Sequence, residues 1–306
     1  MKELNGASEQ DFLDAFRLPQ HRSRHERVSL IITVSSIFTA FTFVALLYIS
    51  FVLEGTSISY LLLAATFFLG VSVYSLNKVT DLNEDSINSP DRFRFAKKYR
   101  NYLLLASIES INIAVVFAFF SDPYAILLIL GIFYAGALYS LGVSKLRVKK
   151  TLVAKNFMVA GAITVGAVLL PVVVHFGNLL IVVLVAYFVF LKAFINTVLL
   201  DVRDIEGDRK AGARTIPLHL GRQKTRNLLL LLNSTLIIWI GFSFFEGLFF
   251  PYHIVLVISL LYAYWYILRF TRANGDTNKY EDFLVDGETI LLALYVLPFF
   301  LGWPSF

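Results

Sequence analysis

Apolar residues run in long unbroken blocks along this chain, at about 29–53, 57–79, 100–120, 123–142, 152–174, 179–200, 227–245, 249–268 and 284–303. A hydrocarbon core of ~30 Å takes roughly 20 residues of helix, so each block predicts one membrane crossing. Two separators are very short, Glu54-Gly55-Thr56 and Ser121-Asp122, and predict antiparallel neighbouring helices. The others are longer and charged. The expected fold is therefore an all-α membrane bundle of nine helices around a central cavity. A polar segment, 1–28, precedes a single membrane domain, 29–304, capped by loops at 81–99, 143–151, 201–226 and 269–283. The leading segment lacks the short apolar run of a removable signal, so the first crossing is expected to stay in the protein.

Composition agrees with this reading and excludes much else. With 57% hydrophobic and 16% charged residues among 306, and a mean hydropathy of +0.69, a soluble two-domain enzyme is ruled out. The absence of cysteine removes disulfides, thiolate metal sites and cysteine nucleophiles. All of the 27 Lys and Arg residues except Lys155 and Lys192 fall on one set of loops and helix ends, while the short opposite turns carry Glu54, Asp122 and Glu246 and no base. Positive charge marks the cytoplasmic side, which predicts a cytoplasmic amino terminus and long loops, an external carboxyl terminus, and a place in the cell membrane.

Candidate chemistry lies where two crossings emerge on that side. The second runs into Asn77, Asp81 and Asp85, spaced i, i+4, i+8, and the sixth into Asp201, Asp204 and Asp208, spaced i, i+3, i+7. Each set occupies one helical face. Their equivalent positions suggest two pseudo-repeat halves whose acidic ends face each other. Clustered carboxylates repel unless a cation bridges them, and hard oxygen donors suit Mg²⁺, which keeps phosphate oxygens among its ligands. Nearby bases, Arg22, Lys145, Arg147, Lys149 and Arg214, supply anion contacts, so the combination points to a diphosphate. An ion-coupled transporter is the competing class, because inward carboxylates also bind ions in carriers. Lys192 lies deeper, where it should face a cavity or a carboxylate, with Glu109 as a candidate partner; Asn112 is expected to hydrogen-bond a neighbouring helix.

These motifs resemble those of the UbiA-type intramembrane prenyltransferases. Asn77-x-x-x-Asp81-x-x-x-Asp85 and Asp201-x-x-Asp204-x-x-x-Asp208 look like the family's two aspartate-rich motifs. Tyr139-Ser140, Lys145-Leu-Arg147-Val-Lys149 and Lys155-Asn156 are similar to its block between the fourth and fifth crossings. The chain departs from the pattern at Lys78, where the family often has a second aspartate, and at Arg17-Leu18-Pro19, in place of the more usual Arg-Pro pair. The resemblance implies a prenyltransferase, a transferase of alkyl or aryl groups other than methyl. It would hold two Mg²⁺ ions on Asp81, Asp85, Asp201, Asp204 and Asp208. Diphosphate would meet Asn77, Arg22, Lys145, Arg147, Lys149, Lys155 and Arg214, and Tyr139 would lie beside an allylic cation. The implied partners are a prenyl diphosphate, a lipophilic acceptor and the lipid bilayer, with no nucleic acid. The acceptor expected first is an aromatic or quinone precursor, and a glycerol-phosphate lipid is the alternative.

Overall fold

The computed structural model describes residues 36–141, 154–210, 212–272 and 281–300. Among the described residues, nine long helices occupy the expected apolar blocks: α1 (Ser36–Leu53), α2 (Tyr60–Thr80), α5 (Arg100–Ser121), α6 (Ala125–Leu141), α7 (Ala154–Val174), α8 (Leu179–Arg203), α10 (Ile216–Phe245), α11 (His253–Phe270) and α12 (Glu281–Phe300). Seven of them are long and apolar enough to cross a membrane, and α6 and α12 fall outside that set. The expected count of nine crossings is therefore not reached by this measure. Three short helices are also present among the described residues: α3 (Leu82–Asn88), α4 (Pro90–Lys98) and α9 (Ile205–Lys210).

Two of the stretches expected to be cap loops, 81–99 and 201–226, are thus largely helical where described, while 143–151 and most of 269–283 lie outside the described residues. In 81–99, Asp81 ends α2 and starts α3, and Pro90 opens α4 at the first-turn position where its missing N–H costs nothing. In 201–226, α9 is followed by the first turns of α10, which is interrupted where Gly221 takes φ +77°. Polar composition disguises these segments, because short helices at a membrane face need no apolar run.

Helix contacts run in chain order from α2 through α5, α6, α7, α8, α10, α11 and α12, and α1 closes the ring by packing on both α12 and α2. The short turns place α1 beside α2 and α5 beside α6, as expected, and Ser59 and Ser121 join the two turns by a 2.7 Å hydroxyl contact. Small and hydroxylated residues draw helices together where lipid offers no hydrophobic drive. Ser72 and Ser107 exchange hydrogen bonds with each other's carbonyl oxygens at 2.7 and 2.9 Å. Gly70 faces Ala40 so closely that a Cβ there would stand 2.9 Å from the Ala40 Cα. Phe120, Leu127, Ile238 and Phe245 are exposed on the outside of the bundle, as a lipid-facing surface requires. The chain is an integral membrane protein.

Lys192 does not pair with Glu109, which lies on an exposed face of α5. It meets Glu288 of α12 at 2.5 Å, and Glu288 also accepts from Ser259 at 2.6 Å and Tyr266 at 3.0 Å. This network ties α8, α11 and α12 together in a region where an unpaired charge is costly. Sequence spacing could not distinguish the two carboxylates; helix packing does. Asn112 is exposed on α5.

Removing one member of a buried pair strands the other charge. Glu288→Ala is expected to destabilise the bundle by about 3–5 kcal/mol, and Lys192→Met in the same chain to restore most of that loss; denaturant unfolding in detergent measures both. A second prediction concerns Glu54 in the α1–α2 turn. Both carboxylate oxygens are buried without a hydrogen-bond partner among the described residues, and burial pushes its pKa up from 4.5 to about 8. The folded protein holds this proton more tightly than the unfolded chain. Its contribution to stability is therefore greatest below pH 4.5, declines as pH rises to about 8, and is flat beyond. Glu54→Gln is expected to flatten this part of the unfolding profile between pH 5 and 8.

Candidate active site

The two acidic motifs adopt the same local structure. Asp81 sits at the junction of α2 and α3, and Asp204 at the junction of α8 and α9, both with φ near −90°. Backbone bonds from Asp81 to Asn77 and from Asp85 to Asp81, each 2.9 Å, keep the four-residue spacing through the first junction. Asp204 to Leu200 at 3.0 Å and Asp208 to Asp204 at 2.9 Å do the same in the second. Each motif therefore holds its one-faced pattern, and α3 and α9 pack against each other. Gly207 permits this approach: a Cβ there would overlap the Asn88 amide. The acidic ends do face each other.

Between them opens a cavity of about 290 Å³. Its polar mouth includes Asn77, Asp81, Asp85, Asp201, Asp204 and Asp208. Further in, the wall is Leu46, Leu69, Val73, Ile132, Val159 and Ala162, from α1, α2, α6 and α7. Asn77 Oδ1 accepts from Ser140 at 3.1 Å, which joins α2 to α6 at the rim.

Carboxylates at this mouth are compensated by named cations. Arg92 grips Asp85 through both oxygens, with Nε to Oδ2 at 2.6 Å and Nη2 to Oδ1. Arg203 holds Asp204 at 2.7 and 2.8 Å. Lys155 donates to Asp201 Oδ1 at 2.8 Å and Asn156 to Oδ2 at 2.9 Å, so both oxygens of this buried carboxylate are engaged by α7. Lys155, expected on phosphate, thus braces Asp201 while still lining the cavity.

Among the described residues, no three carboxylate or imidazole groups are arranged to chelate one ion. The oxygen donors nevertheless fit a hard cation that takes only one or two protein carboxylates and completes its shell with substrate oxygens. Arg214 is exposed and does not line the cavity. Arg22, Lys145, Arg147 and Lys149 lie outside the described residues, as does the side chain of Tyr139 in the last turn of α6.

Several lining residues escaped the sequence reading. Arg203 stands inside the second acidic run, and Arg92 follows Asp85 by seven residues, two helical turns; those spacings were the available signal. Asn88, Phe43 and Tyr74 carried none. The Phe43 and Tyr74 rings lie 5.7 Å apart in the cavity wall, brought together by the packing of α1 on α2.

The family profile described as the UbiA prenyltransferase family matches residues 36–287. No curated protein matches the chain. A UbiA homolog from Archaeoglobus fulgidus bound to GPP and Mg²⁺ superposes with a TM-score of 0.65 at 16% identity, covering 90% of this chain and 99% of that one. The apo structure of a UbiA homolog from Aeropyrum pernix K1 gives 0.61 at 16%, over 83% and 98%. A digeranylgeranylglyceryl phosphate synthase gives 0.52 at 20%, over 89% and 98%. At these identities the structures establish the shared fold. With the profile spanning most of its length, the chain belongs to the UbiA prenyltransferase family.

Proposed function

We propose that the protein transfers a prenyl group from an allylic diphosphate to a lipophilic acceptor within the bilayer. The observation that carries this reading is the convergence of two acidic helix junctions on one cavity mouth whose interior is apolar. A relative of the same fold was solved with GPP and Mg²⁺ and another is named for a glyceryl phosphate product, which supports the same donor chemistry here.

In this arrangement Asp81 and Asp85 from one junction and Asp204 and Asp208 from the other hold two Mg²⁺ ions, with Asn77 beside the diphosphate. Bound magnesium neutralises the diphosphate oxygens and makes pyrophosphate a better leaving group. Asp201 was also expected among the ligands; its contacts with Lys155 and Asn156 favour a bracing role that fixes the start of α7 against α8. Arg92 and Arg203 carry planar guanidinium groups at the mouth, suited to grip phosphate oxygens when substrate competes for them. The resemblance assigns further anion contacts to Arg22, Lys145, Arg147 and Lys149; Arg214, exposed and off the cavity, is not among them.

The prenyl tail lies along the apolar wall. Loss of pyrophosphate leaves an allylic cation that water would capture, so the reacting carbon must be kept dry. Phe43 and Tyr74 line this cavity with aromatic rings, and the resemblance assigns Tyr139 of α6 a similar role; each cation–ring contact is worth about 0.5–2 kcal/mol to a desolvated cation. The concentration of bases on one side of the bundle supports a cytoplasmic mouth, with the carboxyl terminus outside.

Pyrophosphate release from geranyl diphosphate by the protein in lipid, with and without Mg²⁺ and with aromatic or glycerol-phosphate acceptors, tests the proposal. Magnesium-dependent, acceptor-stimulated release is expected; a folded sample that binds no prenyl diphosphate would refute it. Asp85→Asn and Asp204→Asn are each expected to lower turnover at least a hundredfold while the unfolding midpoint moves little. Gly207→Ala must displace Asn88 or part α3 from α9, and direct binding of geranyl diphosphate is expected to weaken about tenfold.

A further inference from the structure

The deep ion pair of this bundle faces inward, as a hydrocarbon surrounding requires. Lys192 and Glu288 line a second cavity, about 190 Å³, which shares Phe43 and Leu46 with the first, and Ser259 and Tyr266 donate to the carboxylate. Glu109 and Asn112 of α5 do the opposite. Both are exposed on the outside of the bundle, and neither side chain forms a hydrogen bond or ion pair with any of the described residues. Helix α5 runs from Arg100 to Ser121, so Glu109 lies about 14 Å of helical rise from one end and Asn112 about 14 Å from the other. These side chains are too short to reach either membrane surface from that depth. Contact with lipid tails would leave their polar groups unsatisfied. On α11, by contrast, the exposed mid-helix positions are Val257, Ile258 and Leu261.

Two seams run along α5 on opposite faces. The inner one, Ser107, Ile111, Ala114 and Ala118, is buried within the bundle, and Ser107 is bonded to Ser72 of α2. Its residues are spaced four, three and four apart. The outer seam is Leu105, Glu109, Asn112, Val116 and Phe119, spaced four, three, four and three apart, and all five are exposed. Alternation of threes and fours is the 3.5-residue period by which helices pair in left-handed coils, seam against seam. Residues of this chain fill the inner seam. The outer one is covered by none of the described residues, yet it carries at its centre the kind of polar side chains that hold membrane helices together.

We propose that the outer seam of α5 is the interface with a second copy of this chain. A closed pair of copies inserted in the same sense has its two-fold axis along the membrane normal, which sets the two α5 helices parallel and each seam against itself. Glu109 and Asn112 then stand in successive layers, about 4.5 Å apart in rise. The Asn112 amide of each copy donates to the Glu109 carboxyl group of the other, and symmetry makes the bond twice. Leu105 packs on one side of these layers, and Val116 and Phe119 on the other. A second copy is the occupant this face selects, because the face carries a donor and its acceptor in one register and is therefore complementary to itself. Lipid tails offer neither group, and lipid head groups do not lie at this depth.

The chain contains no cysteine, so single cysteines report the contact directly. Full-length Leu105→Cys and Val116→Cys, reconstituted in liposomes and oxidised with copper phenanthroline, are each expected to give a disulfide-linked dimer. Ile238→Cys, on the exposed face of α10, is expected to stay monomeric under the same oxidation. Förster transfer between terminally labelled copies, followed as lipid is added, measures association without a cross-link. Glu109→Leu and Asn112→Leu are each expected to raise the protein-to-lipid ratio at half-association about tenfold. Their unfolding midpoints in detergent are expected to match that of the wild type, since neither side chain is bonded to the described residues. Association that both leucine variants leave unaltered overturns the proposal. So does cross-linking of Ile238→Cys equal to that of Leu105→Cys, or a wild-type protein that is monomeric throughout the dilution.

Discussion

Charge placed at the edge of an apolar bundle must be compensated on the spot, and the architecture of the site follows from that requirement. Asp85, Asp201 and Asp204 each meet a cation from within the chain: Arg92 from α4, Lys155 from α7 and Arg203 from the end of α8. Removing a carboxylate from water is expensive unless a partner is close and well aligned. The cap helices, the rim of α7 and the end of α8 are positioned by this need as much as by packing. Such pairs also keep the mouth ready for a substrate that carries both negative charge and its own counter-ions, because a guanidinium can exchange one oxyanion for another of similar geometry.

The internal repeat gives this arrangement its symmetry. A helix junction at Asp81 and another at Asp204 turn two acidic faces toward each other while preserving four-residue spacing on either side. Gly207 is the point at which the halves meet, and its missing side chain accommodates Asn88. Below the junctions, α1 packs against α2, α7, α8 and α12 and so borders both cavities. Phe43 and Leu46 of this helix belong to both linings.

Two kinds of ion pair coexist in the bundle and differ in what surrounds them. The pairs at the mouth are bordered by a polar cavity, where incoming oxygens can replace them. Lys192 and Glu288 are enclosed by Ser259 and Tyr266, so their exchange with a ligand would leave several groups unsatisfied. That contrast explains why the deep pair is read as a brace for α8, α11 and α12.

The bundle class, the placement of its long helices and the two acidic faces were legible in the chain because each is local: hydropathy over about twenty residues marks a helix, and i, i+4 spacing marks a face. Asn77, Asp81, Asp85, Asp204 and Asp208 were all found this way and all line the cavity. Contacts across helices were beyond that reach. The sequence named Glu109 as a candidate partner for Lys192, and only packing chose Glu288; the resemblance offered Lys155 a phosphate, and packing gave it Asp201. Arg92, Asn88, Phe43 and the second cavity became visible once α1, α4 and α12 took their places. A linear pattern determines which residues share a helix face, since 3.6 residues per turn is a property of the backbone. Which faces then meet is decided by steric fit and charge compensation among segments distant in sequence, and these exist only in the folded bundle.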